Sequence, residues 1–346
     1  MACVLEFRQV LIGVHMAKSI IKQIIYLLLK AIVCWIVIIL TTYGWQPLFP
    51  KNKSNIVPLD AHTVVNLHSS VKILSQDIGM RNVMFPGHLN KAAEFIVKSF
   101  QSSGYTVIEQ EYRPYGRRVK NIIAYLGDDF PQESIIVGAH YDTCMTPGAD
   151  DNASGVAGLL ELARQMKGVS RKTPVVFVAF VNEEPPFFTT NEMGSYVFAK
   201  YLKKNQKSVK AAVILEMLGF YNEGFASQRY LPLLGPFYPN QANFITVVGN
   251  YSSSGLVHHL VKGMSQGTDF SVQSIVAPSF VPGIYFSDHW SFWKMGYPAV
   301  MVTDTAYLRY KHYHKYTDTI EKLNFVKMGY CLQGLRYGIE QLSNEK

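Results

Sequence analysis

Along the chain, apolar and polar positions change their rhythm twice. Residues 24–45 are almost all apolar, with Lys30 the one charge in the run. A stretch apolar on every side and close to the N-terminus predicts a targeting or membrane-crossing helix rather than a buried core helix. A spanning helix needs roughly 20 residues, and a lysine inside it can extend toward the headgroups. Residues 46–56 carry Pro47, Pro50, Lys51, Asn52, Lys53, Ser54 and Asn55 and predict a linker. From residue 57 the pattern becomes globular. Residues 60–76 and 89–102 have apolar positions at helical spacing, the second closed by Gly104. Residues 106–112 and 119–126 predict strands joined at Pro114 and Gly116, and 134–139 is a short apolar run typical of a buried strand. The spacing then predicts a helix over 154–166, a strand over 174–181, a helix over 194–203 and a strand over 211–217. Strands at 244–248 and 298–302, a helix near 255–263 and a C-terminal helix from about Asn324 complete it. Strands alternating with helices predict an α/β sheet covered on both faces. The expected division is a targeting segment over 1–45, a linker over 46–56 and one globular domain over 57–346.

Composition narrows the class. Of 346 residues, 48% are hydrophobic and 17% charged, which supplies a sizeable core and excludes a disordered chain. The net charge of +8 is mostly N-terminal: Arg8, Lys18, Lys22, Lys30, Lys51 and Lys53 stand against Glu6 alone. No basic stripe with interleaved aromatics remains, so nucleic acid is not an expected partner. Basic residues ahead of the apolar run fit a positive-inside orientation. The globular domain is therefore expected outside the cytoplasm, periplasmic or extracellular, either membrane-anchored or secreted. An uncleaved anchor is favoured over a signal peptide with apolar region 31–40, because Thr41, Thr42, Tyr43 and Gly44 match a cleavage site poorly. Met16-Ala17-Lys18-Ser19 begins a more typical targeting sequence and offers an alternative start. Cys3 and Cys34 fall in this segment, leaving Cys144 and Cys331 for the folded part. That is no disulfide framework, although one bridge between them stays open. Without a CxxC pair, any metal is expected to be held by histidine and carboxylates.

The candidate chemistry gathers just past the ends of the apolar strands, where open α/β sheets place their ligand sites. His140 follows the strand at 134–139, with Asp142 placed to orient its imidazole. Asp150 and Asp151 open the helix at 154–166. Both suit helix capping, yet adjacent aspartates so soon after a strand-terminal histidine exceed what a cap needs. Asp150 is the carboxylate expected to bridge two cations. Glu183 and Glu184 end the next strand and point in different directions, one toward a metal and one toward an attacking water. Glu216 closes a further strand, Asp288 and His289 stand together near the C-terminal third, and His312 and His314 follow. Oxygen and imidazole donors without thiolate suit a hydrolytic zinc site, and two zinc ions sharing a carboxylate would clamp a water and a carbonyl oxygen.

The segments GAHYDT (138–143), GADDNASG (148–155), the Glu183–Glu184 pair followed by MGS (193–195), LEM (215–217), SDHWSFWKMGYPAV (287–300) and HKYTDT (314–319) resemble peptidase family M28. The likeness spans residue 60 to the C-terminus. It implies a three-layer α/β/α zinc-exopeptidase-like fold with a mixed central sheet. It also implies two Zn2+ ions, one on His140 and Glu216, the other on Glu184 and His314, with Asp150 bridging. By the same resemblance Glu183 is the general base and a cis peptide follows Asp150. Asp142, Asp151 and Asp288 support the ligands from behind, and Tyr313 is a candidate donor to the oxyanion. Two departures stand out. Glu216 occupies a position where the family usually has aspartate. The segment Pro185 to Glu192 is longer than in compact aminopeptidases, and its phenylalanines either line a specificity pocket or pack on a neighbouring loop.

The leading expectation is an aminopeptidase acting on peptides, with acidic groups holding the free amine and a small apolar pocket taking the first side chain. A carboxypeptidase would need a basic cluster, with Arg113, Arg117, Arg118 and Arg309 the candidates. Glutaminyl cyclization with one zinc is the acyl-transfer alternative, against which the intact Asp150-Asp151-Asn152 stretch argues. A catalytically inert binding domain is disfavoured because all five ligand positions keep ligand-competent side chains.

Overall fold

The computed structural model describes residues 2–43, 58–169, 171–231 and 234–345. The chain divides into two units, Met1–Gln46 and Pro47–Lys346. The first holds one long helix, α1 (Ala2–Tyr43). Within it Met16–Val37, 22 residues of mean hydropathy 2.1 and unburied, is long and apolar enough to cross a membrane. This overlaps the expected 24–45 over residues 24–37. The expected linker, 46–56, lies outside the described residues.

The second unit is built on one mixed sheet of eight strands in the order β1-β2-β4-β3-β5-β8-β6-β7. Strands β1 (Thr106–Tyr112), β2 (Val119–Tyr125), β3 (Glu133–His140) and β4 (Val175–Phe180) agree with the periodicity to within a residue or two. So do β5 (Ser208–Glu216) at its C-terminal end, β6 (Ile245–Gly249) and β8 (Ala299–Thr303). β4, β3, β5 and β8 run parallel, so their C-terminal ends share one edge of the sheet. β6 pairs antiparallel with β8. β7 (Val272–Val276) was not expected: its alternating burial admits Gln273 and Ser274, so no apolar run marks it.

Helices cover the two faces unequally. Alternation along β5 sends Ala211, Val213 and Leu215 to one face, against α2 (Ala61–Lys72), α3 (Pro86–Ser102), α4 (Gly155–Met166), α6 (Ser254–Gly267) and α8 (Phe325–Asn344). Ala212 and Ile214 go to the other, where only α5 (Gly194–Lys204) and the short α7 (His289–Lys294) pack, through Phe198, Ala199, Leu202 and Phe292. α7 has six residues, too few to show a helical period in sequence. Over β6 and β7 this second face is covered by loops. Cys144 and Cys331 are both free thiols, so the bridge left open by the sequence does not form.

Candidate active site

The parallel strands end together, and three of them deliver polar residues to the same edge. β3 ends in His140 and β5 in Glu216; Glu183 and Glu184 follow β4. Between β3 and α4 the chain must turn sharply to bring Asp150 and Asp151 over that edge. Gly148 makes the turn in the left-handed region (φ 61°), where a Cβ would overlap Thr143 and the Asp151 carbonyl. Asn152 then fastens the turn to β5: its amide donates to Leu215 O (2.9 Å) and its carbonyl accepts from Met217 N–H (3.0 Å). Three non-glycine residues at or next to the candidate ligand positions, Asn182, Met217 and His314, have positive φ of 60°, 51° and 54°. Such conformations persist where surrounding structure over-determines them and cluster at functional sites.

The two histidines each face carboxylates. His140 Nε2 lies 3.4 Å from Glu216 Oε2, 3.5 Å from Asp151 Oδ1 and 3.9 Å from Glu183 Oε2. His314 Nε2 lies 3.2 Å from both Asp151 Oδ2 and Glu184 Oε2. Asp151 therefore divides its two oxygens between the imidazoles. Here the structure corrects the expectation: Asp151, not Asp150, is the aspartate that lies between the two histidines. Asp318 accepts the backbone N–H of Asp150 (2.9 Å) and of Asp151 (3.1 Å), and the consecutive side chains turn opposite ways. Asp150 points away, accepting Gly219 N–H at 2.8 Å. The cis peptide likewise joins Asp151 to Asn152 and does not follow Asp150.

Asp142 meets His140 Nδ1 with its backbone carbonyl at 3.2 Å, and its side chain turns to the two glutamates. It accepts the N–H of Glu183 (3.1 Å) and Glu184 (3.2 Å), so one carboxylate sets the direction of both glutamates, and it lies 3.7 Å from His140 Nδ1. Asp288 is fully buried near the cluster, and burial pushes its pKa up to about 7. Tyr313 stacks on the His314 ring at 3.9 Å between centroids, and burial followed by the neighbouring carboxylates keeps its phenol protonated. His312 instead turns to Thr317 Oγ1 at 2.7 Å. Phe187 packs on Tyr115 and Phe188 on Tyr285 and Phe286, so the long loop forms a hydrophobic patch and not a pocket wall.

Four further residues escaped sequence reasoning. Asp318 sits inside the HKYTDT segment, whose second acid was the available signal. Ser287 donates to Glu216 Oε2 at 2.6 Å. Asn152 was visible only as a capping residue. Cys144 donates its N–H to Glu184 Oε1 (3.0 Å), and its thiol lies in one cluster with Glu184 and His314. A sulfur donor therefore stands within reach of a site expected to hold only nitrogen and oxygen.

Charge at the site is unbalanced. Burial opposes ionisation of Glu183 and, with Glu216, Glu184 and Asp288 adding to it, pushes its pKa well above 4.5 despite His140. Glu184 is pushed up to about 7 by burial and by Asp151. Burial acts against charge on His314 too, but hydrogen bonding to Asp151 and Glu184 outweighs it and lifts the imidazole to about 10. The surplus negative charge suits cations. So does His140 Nε2, which is buried, faces three carboxylates and has no hydrogen-bond partner among the described residues. Histidine and carboxylate donors in two groups, His140–Asp151–Glu216 and Glu184–His314 with Cys144, fit zinc chemistry.

Residues 121–337 match the family model described as Peptidase family M28. The chain belongs to this family. An uncharacterized Escherichia coli (strain K12) protein, YfbL, is 39% identical over 91% of this chain and 97% of its own length. A probable leucine aminopeptidase of Arthroderma otae is 28% identical over 60% of the chain, which spans about half (53%) of that relative. Among solved structures, a zinc aminopeptidase from Bacillus subtilis superposes with a TM-score of 0.65 at 15% identity, over 84% of this chain and 97% of the other. Fimbriiglobus ruber glutaminyl cyclase superposes at 0.60 with 24% identity, over 83% and 96%. The M28 chain thus has the expected α/β fold, shared by aminopeptidases and cyclases alike.

Proposed function

We propose that this M28 protein is a zinc-dependent aminopeptidase that removes N-terminal residues from peptides. The observation that carries the reading is the Asp151 carboxylate, one oxygen toward His140 and the other toward His314. In this reading His140, Asp151 and Glu216 hold one zinc ion, and Asp151, Glu184 and His314 hold a second. Bound zinc supplies Lewis acidity, polarising the scissile carbonyl and making water a nucleophile at neutral pH. Glu183 is the general base. Its buried carboxylate has a raised affinity for protons, and the grip of Asp142 on its N–H fixes its direction. It takes the proton of the attacking water and returns it to the departing amine. Tyr313 donates to the carbonyl oxygen as negative charge develops there. The surplus carboxylates favour a substrate ammonium. Among the described residues, the pocket that begins at Glu216 and Tyr313 has no lysine or arginine in its lining. Arg117 is committed to Val83 O and Arg309 to Phe244 O, so neither supports recognition of a terminal carboxylate. In the same reading α1 anchors or exports the chain, and residues 57–346 act outside the cytoplasm.

The test measures bound metal and release of N-terminal residues by the full chain, with Glu183→Gln in parallel. Near two zinc per chain, with turnover lost and metal kept in the variant, is the expected result. One zinc with cyclization of N-terminal glutamine would move the protein to acyl transfer. No metal and no turnover would overturn the enzyme reading.

A further inference from the structure

Beside the acidic cluster, on the face of the sheet that α5 and α7 cover only in part, lies a pocket. Its floor is the sheet: Glu216 of β5, Met301 and Thr303 of β8, Thr246 and Val248 of β6, and Ile275 of β7. Loops roof it with Tyr230, Tyr238, Phe286 and Tyr307.

Strand register sets its length. Glu216 pairs with Thr303, and Thr303 pairs with Thr246, so the three form one row across the sheet. At about 4.8 Å per strand, Thr246 stands roughly 10 Å from Glu216. Along this row Thr303 is satisfied, accepting Thr305 N–H at 3.0 Å. Thr246 is not: it is 6% exposed, and its Oγ1 has no hydrogen-bond partner among the described residues. A buried hydroxyl left unpaired has lost its hydrogen bond to water without gaining another. An apolar wall with one unpaired hydroxyl at its far end matches a ligand that is apolar along its body and polar at its tip.

We infer that this pocket receives the first side chain of the substrate and selects a tyrosine-like one. The ring lies against Met301, Val248 and Phe286, and the phenol pairs with Thr246 Oγ1. Alanine is too short to leave the mouth of the pocket. Phenylalanine fills the apolar part and leaves Thr246 unpaired. The inference rests on the aminopeptidase reading, so its test includes binding as well as turnover.

The zinc-loaded full chain is assayed for kcat/KM on chromogenic amides of alanine, leucine, phenylalanine and tyrosine. Separately, the thermal shift of Glu183→Gln is measured with L-alaninamide, L-phenylalaninamide and L-tyrosinamide. Tyrosine and phenylalanine are expected to exceed alanine by at least about 10-fold, and tyrosinamide to give the largest shift. Thr246→Val is expected to lower the tyrosine-to-phenylalanine ratio about 5-fold, the size of one net hydrogen bond. Met301→Trp, which fills the pocket, is expected to turn the preference toward alanine. Alanine preferred by the wild type, or equal shifts for all three amides, would overturn the inference whether or not either variant folds. No turnover with any amide, alongside the expected order of binding, would overturn the aminopeptidase reading and leave the pocket assignment standing.

Discussion

The acidic cluster and the pocket beside it share Glu216 and Tyr313 but are held by different forces. In the cluster nearly every side chain is fixed by a second polar group: Asp151 by the Asp318 clamp on its backbone, both glutamates by Asp142, Glu216 by Ser287. In the pocket, shape comes from packing, and its sheet floor carries Thr246 unpaired. Chemistry on a carbonyl tolerates little misplacement, so over-determination there has a physical reason. Side-chain selection needs volume and one directional contact, which strands and loops can supply without a network.

The strongest way to break this comparison is at Asp151. Asp151→Ala is expected to abolish turnover and remove bound zinc, whereas Asp150→Asn, whose side chain faces Gly219, is expected to keep its metal. Metal analysis of the two purified proteins decides which aspartate bridges. Next comes Glu183→Gln, for which turnover should fall by about 10²–10⁴-fold, the usual contribution of a general base, while zinc content stays at the wild-type value. Loss of metal in this variant would make Glu183 a ligand rather than a base.

A third prediction concerns the pocket wall. His289 Nε2–H donates to Ile284 O (2.7 Å), and Ile284 lines the pocket; burial pushes the His289 pKa down to about 4. An unfolded histidine takes up its proton near 6.5, so between pH 6.5 and 4 the unfolded state binds more protons than the native state. Stability from this group is therefore present above pH 6.5 and lost as pH falls toward 4, by on the order of 3 kcal/mol. Urea unfolding at pH 4.5 and 7 should show a smaller pH dependence for His289→Gln than for the wild type, and equal slopes would refute it. The smallest expected effect is at Ser287. Removing its bond to Glu216 with Ser287→Ala should weaken zinc binding by about 10–100-fold, as losing a support behind a ligand usually does. Competition with a chelator measures this, and an unchanged affinity would show that packing alone fixes Glu216.

Local sequence determined much here. Apolar runs bounded by polar ends gave β3, β4 and β5, and with them His140, Glu183, Glu184 and Glu216 at strand ends, because a strand's end is written in the residue that stops being apolar. The family resemblance singled out His314 over His312. Which of two adjacent aspartates faces the two histidines was not legible, since Asp150 and Asp151 have identical side chains and both backbone N–H groups are held by Asp318, more than 160 residues away. Cys144 and Ser287 join the site for the same reason: loops meet there only after the sheet has formed. The pocket is a tertiary product as well. Its row from Glu216 through Thr303 to Thr246 draws on three strands distant in sequence. The local pattern could place each residue on a strand, but only strand order and register bring the three side by side.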